Sequence, residues 1–563
     1  MPQGSGRKSA TEWNAVANIP NSTKVKCKQC DCAISSKIER IRAHLLICRK
    51  QIERCNINSD YDISIGNISD TGSPPEKKIK AKRSMQSSIT DFTIKTTPNQ
   101  KEKLDKIVAK FFFANNIAFN VADSDTFKDM IELLRPGYTG PSRKQLADKY
   151  LPEIDAEITE NLKNDLNDSS LTLILDGWSN TSNDSLTACS VHTGLQSYLI
   201  SAEDAGSERK TTEYCVAVAE KAIHFIKRKY DKDIFACCTD NENKMKKMKD
   251  ILKERHNIIT YGCSAHILNL LYKDIIPKQI ATEIIRVHKY FRNHHQPHGW
   301  LKEKQGVMPQ LPNDVRWNSY DACVSTFIFN YHFYVQIGLE HIKEFDNDIH
   351  DILSNVHLYN EAWNLHQILY QISIALKDLQ NDYVSIATAV EIWYNLVNNK
   401  LLITIKPFIE KRMKSVLTPA HYLANMMHPK YLGKLLTEEA ENMAEEWINR
   451  KHPTFLAHCL AFKIQDREYF PESMFKPEVI NILSAKKWWK ILNAKNEKTS
   501  KLPENFCNFF ISLLSCPASS ASIERIFSSY GLIWNKLRNR LGFENALSLV
   551  KIYRHLRSEP QDY

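Results

Sequence analysis

The spacing of apolar positions changes along the chain, and the change divides it into regions. Between residues 166 and 300 compact apolar runs alternate with stretches of helical spacing. LTLIL (171–175) is a buried-strand run that ends at Asp176. LTACSVH (186–192) and SYLISAE (197–203) follow at hairpin distance. Residues 211–230 have helical period, IFACCT (234–239) is another apolar strand ending at Asp240, and residues 244–255 are helical again. IITYGC (258–263) reads as a fifth strand and 266–276 as a helix. The order β-β-β-α-β-α-β-α predicts a three-strand meander followed by two crossover units. That is an α/β fold with a mixed five-stranded sheet covered by helices.

On either side of this region the period is helical. Residues 101–165 carry the stripe Leu104, Ile107, Val108, Phe111, Phe112, and residues 301–563 show no clear strand run. The last helix pattern, 537–557, has an apolar stripe of Leu541, Ala546, Leu549, Val550 and Tyr553, which by itself reads as core rather than interface. Residues 56–100 lack any apolar period and are rich in Ser, Asp, Thr and Pro, a linker composition. No internal repeat is visible.

Composition narrows the functional classes. The 563 residues imply about three or four structural units. With 43% hydrophobic and 25% charged residues, wholesale disorder is excluded. No apolar run approaches about 20 residues, so a membrane span is not expected. The polar, basic start Met1–Ala10 does not read as a secretory signal. The 14 cysteines are then expected as reduced thiols or metal ligands rather than a disulfide framework. A net charge of +10 permits nucleic-acid binding without establishing it.

Cys27-x2-Cys30 followed by His44-x3-Cys48 is a Cys3His set at zinc-finger spacing. His44 and Cys48, four residues apart, share one face of a helix expected to begin near Lys37. Cys32 and Cys55 lie close enough to leave the choice of ligands open, and the alternative is free thiols with a surface His. The same helix carries Lys37, Arg40, Arg42, Arg49 and Lys50, suited to phosphate and groove contacts or to a solvated face. With Trp13 upstream and HLLIC at its end, this segment resembles a BED-type zinc finger. Downstream, Lys77, Lys78, Lys80, Lys82 and Arg83 form a basic run that reads as a nuclear-import signal or a non-specific DNA contact.

Asp176 and Asp240 each follow an apolar strand, and strand ends are where α/β proteins present ligands. Were their strands neighbours, the two carboxylates would repel unless cations lay between them, the requirement of two-metal phosphoryl chemistry. Each Asp alone reads equally as a turn or helix-cap residue. Glu524 opens a downstream helix, where an acid also complements the helix dipole.

Five blocks in order, LILDGWSN, TDNEN, YGCSAHILNLL, DVRWNSYD and SSASIERIFSSYG, resemble those of hAT-superfamily transposases. Around Asp176 to Ile276 the likeness is to the branch whose core is known as a domain of unknown function in transposase-like proteins. The resemblance implies an RNase H-like core interrupted by a large all-helical insertion, with a small N-terminal zinc finger. It implies these boundaries: 10–55 BED-like finger, 56–100 basic linker, 101–165 helical DNA-binding or intertwining region, 166–295 first part of the core, 296–500 helical insertion, and 501–563 the rest of the core with a C-terminal dimerisation region. It implies Asp176, Asp240 and Glu524 as DDE ligands of Mg2+ or Mn2+. Cys263 and His266 match a C-x2-H motif beside the active site that contacts the transposon end. Arg316 and Trp317 match a pair whose Trp stacks on a flipped base. AHYLANMMHPKYLG (420–433) resembles a further block, with His428 where the family has Asp. The function implied is cutting and strand transfer on double-stranded DNA bearing terminal inverted repeats. The agent would be a nuclear homodimer or higher homo-oligomer with structural Zn2+. The alternative is a domesticated zinc-finger DNA-binding protein or transcription regulator without nuclease activity.

Overall fold

The computed structural model describes residues 16–18, 24–28, 33–35, 41, 96–179, 185–313, 318–535, 538 and 541–557. The chain divides into two compact units, Met1–Ser88 and Ile89–Tyr563.

The described part of the first unit is a three-stranded antiparallel sheet, β1 (Val16–Asn18), β2 (Lys24–Cys27) and β3 (Ala33–Ser35), in that spatial order. Lys24 and Lys26 are exposed while Val25 and Cys27 are buried, the two-residue alternation of a half-buried strand. Val16, Val25 and Ile41 form a small core against which Ile34 packs.

The second unit is built on a mixed sheet of β4 (Leu171–Ser179), β5 (Ser185–His192), β6 (Ser197–Asp204), β7 (Ile234–Thr239) and β8 (Ile259–Gly262). The order is β6-β5-β4-β7-β8. β4, β5 and β6 are antiparallel neighbours, whereas β7 lies parallel to β4 and β8 parallel to β7. Meander and crossovers therefore stand as the apolar periodicity predicts. The helices that frame the sheet are α1 (Pro98–Ala114), α2 (Leu151–Asn167), α3 (Thr212–Tyr230), α4 (Asn243–His256), α5 (Ser264–Ile275), α6 (Ala521–Ile533) and α7 (Phe543–Arg557).

Alternate residues of the central strands divide between two apolar layers. Leu171, Leu173, Leu175 and Cys237 pack with Ala222 of α3 and Met248 and Leu252 of α4. Ile174, Ala236 and Cys238 pack with Leu268 of α5 and with Phe527 and Tyr530 of α6. Burial on both faces is why these runs are continuously apolar rather than alternating.

Between α5 and α6 the described residues hold helices and no strand longer than an isolated bridge. This helical segment begins after α5. Its interior contains the fully buried Trp393, Trp488 and Trp489. Trp488 donates its indole N–H to the Met474 carbonyl at 2.7 Å and Trp489 to that of Met427 at 3.0 Å, so both polar edges are satisfied. The chain comes back through residues 516–518. The Ile386 amide donates to the Cys516 carbonyl (2.9 Å) and the Ala518 amide to that of Val384 (2.8 Å).

Local differences from the sequence expectations have physical causes. In α1 the buried face is Asp105, Ala109, Phe112 and Phe113, while Ile107 is 64% and Phe111 55% exposed. Asp105 turns the helix, because its carboxylate accepts from the Tyr138 hydroxyl (2.7 Å), the Tyr150 hydroxyl (3.0 Å) and Lys101 Nζ (2.9 Å). His428 is held neutral, its imidazole pushed down to about 3 by burial, and its Nδ1 accepts from the Lys430 amide at 3.2 Å. A carboxylate could accept the same N–H, so the substitution keeps the turn. The stripe of α7 packs within the chain: Ala546, Leu549 and Val550 are buried in a helix that lies against α1 and α2.

Candidate active site

β4 runs three residues past Asp176 and pairs with β5 from Thr172 to Ser179, Asp176 facing Ala188. Its pairing with β7 stops earlier, at Ile174↔Cys238. Two residues further along each strand in the same register are Asp176 and Asp240. The acids therefore sit where the parallel pair opens, at the carboxyl end, on the side of the sheet that Ile174 and Cys238 share.

That side is the one α6 covers. Trp178 of β4 stacks on Phe527, ring centroids 6.1 Å apart and planes 10° from parallel, and Tyr530 closes from 6.2 Å. Gly531 comes within contact of the same indole, where an added methyl would meet Trp178 at 3.7 Å. This packing lays the first turn of α6, with Glu524, alongside the end of β4. A carboxylate 348 positions downstream in the numbering thus shares a neighbourhood with Asp176.

The charges register the proximity. Burial first, then the Asp240 carboxylate, pushes Asp176 up to about 7 despite the hydrogen bond that its Oδ1 accepts from the Gly177 amide at 2.7 Å. Burial and then Asp176 push Glu524 up to about 8. Burial above all raises Asp240, whose Oδ1 accepts from the Glu242 amide at 3.2 Å. Among the described residues no group of three or more His, Cys, Asp or Glu side chains closes into a ready cage for a metal ion. Magnesium is ordinarily held by one or two carboxylates together with substrate phosphates, and the Asp176–Asp240 pair has the hard oxygen donors for that.

Cys263 and His266 flank this region in different ways. Cys263 is fully buried and caps α5: its Sγ accepts from the His266 amide at 3.3 Å and from the Ser520 amide at 3.3 Å. Burial pushes its thiol up to about 11, so it stays protonated. His266 is half-buried, held below the usual imidazole range by burial against the opposing pull of the Asp240 carboxylate. The thiol ties the start of α5 to the turn that launches α6. Tyr261 adds a second tie, its hydroxyl donating to the Pro517 carbonyl at 2.9 Å, and the Ser264 amide a third, to Ala518 at 3.1 Å.

Two lysines that the sequence reading passed over belong to the site. Lys249 is only 6% exposed; its Nζ donates to the Asp240 carbonyl (3.1 Å), Asn241 Oδ1 (3.2 Å) and the Tyr261 carbonyl (3.2 Å). It anchors the loop that presents the Asp240 carboxylate. Asn241 packs so closely on Gly262 that an added Cβ would lie 2.1 Å from its Oδ1, which is why that position has no side chain. Lys210 donates to the Leu186 carbonyl at 2.7 Å. With Lys244, it lines a cavity of about 220 Å3 beside Asp176, Asp240 and Glu242. The signal for Lys249 was present: it falls four residues after Met245, on the same helical face as Met248 and Leu252.

The remaining sequence candidates fall elsewhere. Of the four zinc-ligand candidates, Cys27 is buried at the end of β2; Cys30, His44 and Cys48 lie outside the described residues. So do Lys37, Arg40 and Arg42, the basic run Lys77, Lys78, Lys80, Lys82 and Arg83, and the pair Arg316 and Trp317. No helix among the described residues is long and apolar enough to cross a membrane.

Comparison with known families fits this geometry. Residues 141–290, which contain all five strands with Asp176, Asp240, Cys263 and His266, match the family described as Domain of unknown function (DUF659). Residues 466–556, which contain α6 with Glu524, match the hAT family C-terminal dimerisation region, and that match supports self-association. No curated protein matches the chain significantly. One match carries the sheet with its two aspartates and the other the helix that returns to it: together they support an hAT-family transposase-like protein.

Proposed function

We propose that the protein is a DNA transposase whose core is RNase H-like and whose cutting centre is Asp176, Asp240 and Glu524. The observation that carries the reading is the register at the mouth of β4 and β7, which brings two aspartates together on the face where α6 delivers Glu524. The strand order, with an antiparallel meander beside two parallel strands, supports the RNase H-like assignment.

Asp176 and Asp240 would hold Mg2+ or Mn2+, with Glu524 beside them. Such ions supply charge neutralisation at a reacting phosphate and lower the barrier to attack by water or a 3′-hydroxyl. The chain's own residues do the rest. Lys249 fixes the Asp240 loop, Trp178 fixes α6, and Lys210 and Lys244 draw the phosphate backbone toward the acids. Glu524, whose proton affinity is raised by burial and by Asp176 in the ion-free site, would give up that proton where the ions bind and add a third carboxylate to hold them. In the cutting step water forms a new bond to phosphorus, the bond to the sugar 3′-oxygen breaks, and that oxygen leaves as a hydroxyl. In the joining step this 3′-hydroxyl forms a bond to a phosphorus of target DNA, the target's own bond from that phosphorus to its 3′-oxygen breaks, and that oxygen leaves as a hydroxyl.

Docking on the inverted repeats falls to the first unit through a zinc finger of Cys27, Cys30, His44 and Cys48, with Lys37, Arg40 and Arg42 toward DNA. Arg316 and Trp317 take the flipped base, His266 lies beside the transposon end, and the basic run at 77–83 directs the protein to the nucleus. Cys263 acts here as a positioning residue for the two helices it joins.

The test is cleavage by the purified full-length chain on duplexes carrying the inverted repeats that flank its gene, with Mg2+ or Mn2+. Nicks at the repeat boundary, lost in Asp240→Ala, are the expected result. Intact DNA at saturating binding would leave a non-cutting DNA-binding protein.

A further inference from the structure

The opposite end of the same sheet bears the opposite charge. β4 begins there, with Thr172 facing His192 of β5, which in turn faces Ser197 of β6. A cavity of about 430 Å3 opens at this end, between the start of β6 and α7. Lys551 and Arg554 of α7, three residues apart and so on one helical face, line one wall. Tyr198 of β6 and Phe225 of α3 line another. The volume is in the range of small-molecule sites, with aromatic surface on one side and a few convergent polar groups on the other.

Its charges do not balance. The carboxylate lining the cavity is that of Asp382, and it is already engaged: Arg525 donates to it and His192 Nε2 lies 3.5 Å away. The Arg554 guanidinium is half-buried close to the same carboxylate, with Arg525 near enough to repel it. The carboxylate is paired with Arg525 rather than Arg554, and desolvated positive charge without a counter-ion is costly. A ligand phosphate would supply the missing anion in the bidentate geometry that guanidinium favours.

We propose that this cavity binds a mononucleotide, its phosphate on Arg554 and Lys551 and its base against Tyr198 and Phe225. The cavity lies at the other end of the sheet from Asp176 and Asp240, joined to the acidic group only through Arg525, which follows Glu524 in the chain, and the proposal does not depend on how those acids are read. The chamber is a pocket for one unit rather than a stripe along a duplex, so a free nucleotide is favoured over DNA.

Calorimetric titration of the full-length protein with AMP, inorganic phosphate and adenosine, all in EDTA, tests this. EDTA keeps divalent ions from recruiting phosphate to the acids. AMP is expected to bind at least tenfold more tightly than either fragment, and Arg554→Gln to weaken AMP at least tenfold while leaving adenosine unchanged. Should Arg554→Gln fail to fold by circular dichroism, Lys551→Gln at the half-exposed wall is expected to weaken AMP several-fold. AMP binding no tighter than phosphate, or unmoved by these variants, would overturn the proposal. So would loss of AMP binding on Asp176→Asn, or stoichiometric displacement of AMP by a duplex.

Discussion

The two ends of one sheet solve opposite electrostatic problems with the same device. At the carboxyl end of the parallel pair, burial first and then the neighbouring carboxylates make Asp176 and Glu524 take up protons more readily than ordinary acids. At the other end, guanidiniums crowd around Asp382, whose carboxyl is held below the usual range by His192 and Arg525 against the effect of burial. Neither end is arranged for stability alone, since each keeps like charges close together in partly buried surroundings. The contrast separates scaffold from site: the apolar middle of β4 is buried on both faces, while the unbalanced charge lies toward the two ends of the sheet. Charge that a fold does not need for itself is charge available to a ligand.

The largest effect that can break the comparison is on cutting. Asp240→Ala is expected to lower metal-dependent nicking by roughly 1,000-fold, the scale of losing charge stabilisation worth several kcal/mol. Binding to the same DNA, followed by anisotropy, should stay within about twofold. Equal cutting by the variant would reduce the acidic end to a structural cluster.

Next comes the anchor beneath it. Lys249→Met keeps the volume but strips donors from three acceptors, and a loss of about 3 kcal/mol is expected from urea unfolding. A variant as stable as the parent would mean the Asp240 loop holds itself.

A smaller effect is expected at the basic end. Asp382→Asn removes the carboxylate paired with Arg525; because Asp382 and Arg525 are both partly solvated, the cost should be about 1 kcal/mol. The same change leaves the cavity more positive, so AMP should bind several-fold more tightly.

The smallest is a pH effect. Folded Asp176 and Glu524 bind protons more tightly than they do in the unfolded chain. Their contribution to stability is fullest at acid pH, below the ordinary carboxylate range, and is lost as pH rises toward about 7 and 8. Melting at pH 8 should therefore fall below that at pH 5.5 by on the order of 2–3 °C more in the parent than in Asp176→Asn. Added Mg2+ should recover part of the difference at pH 8 in the parent only.

Much of the sheet was legible because strand burial writes itself directly into sequence. LTLIL and IFACCT are apolar on both faces, as a central parallel pair requires, and the acids stand immediately after them. What the pattern missed was polar. β4 continues past Asp176 because its outer half needs β5 alone, so Gly177 and Ser179 end a strand whose apolar run has already stopped. Lys249 and Asp105 are charged residues on buried faces, and each reads as solvent-facing until its hydrogen-bond partners, distant in sequence, are known. Glu524 was beyond the reach of periodicity: nothing in its helix points to Asp176, and only the ordered motif blocks joined them. The stripe of α7 showed the reverse ambiguity, since the same apolar spacing serves an internal core and a dimer contact alike.

The ties at Cys263, Tyr261 and Ser264 fasten the place where the chain leaves the sheet to the place where it comes back. Everything between forms a helical lobe clasped at this doorway, with further contacts to the sheet such as Lys486 on the Thr193 carbonyl and Phe509 on Phe235. Such a lobe can grow, shrink or exchange its contents over generations without re-aiming Glu524, because lengthening a loop whose ends are already clasped adds little entropic cost. Novelty in what the protein grips can therefore accumulate in the lobe while the geometry beneath the doorway stays as it is.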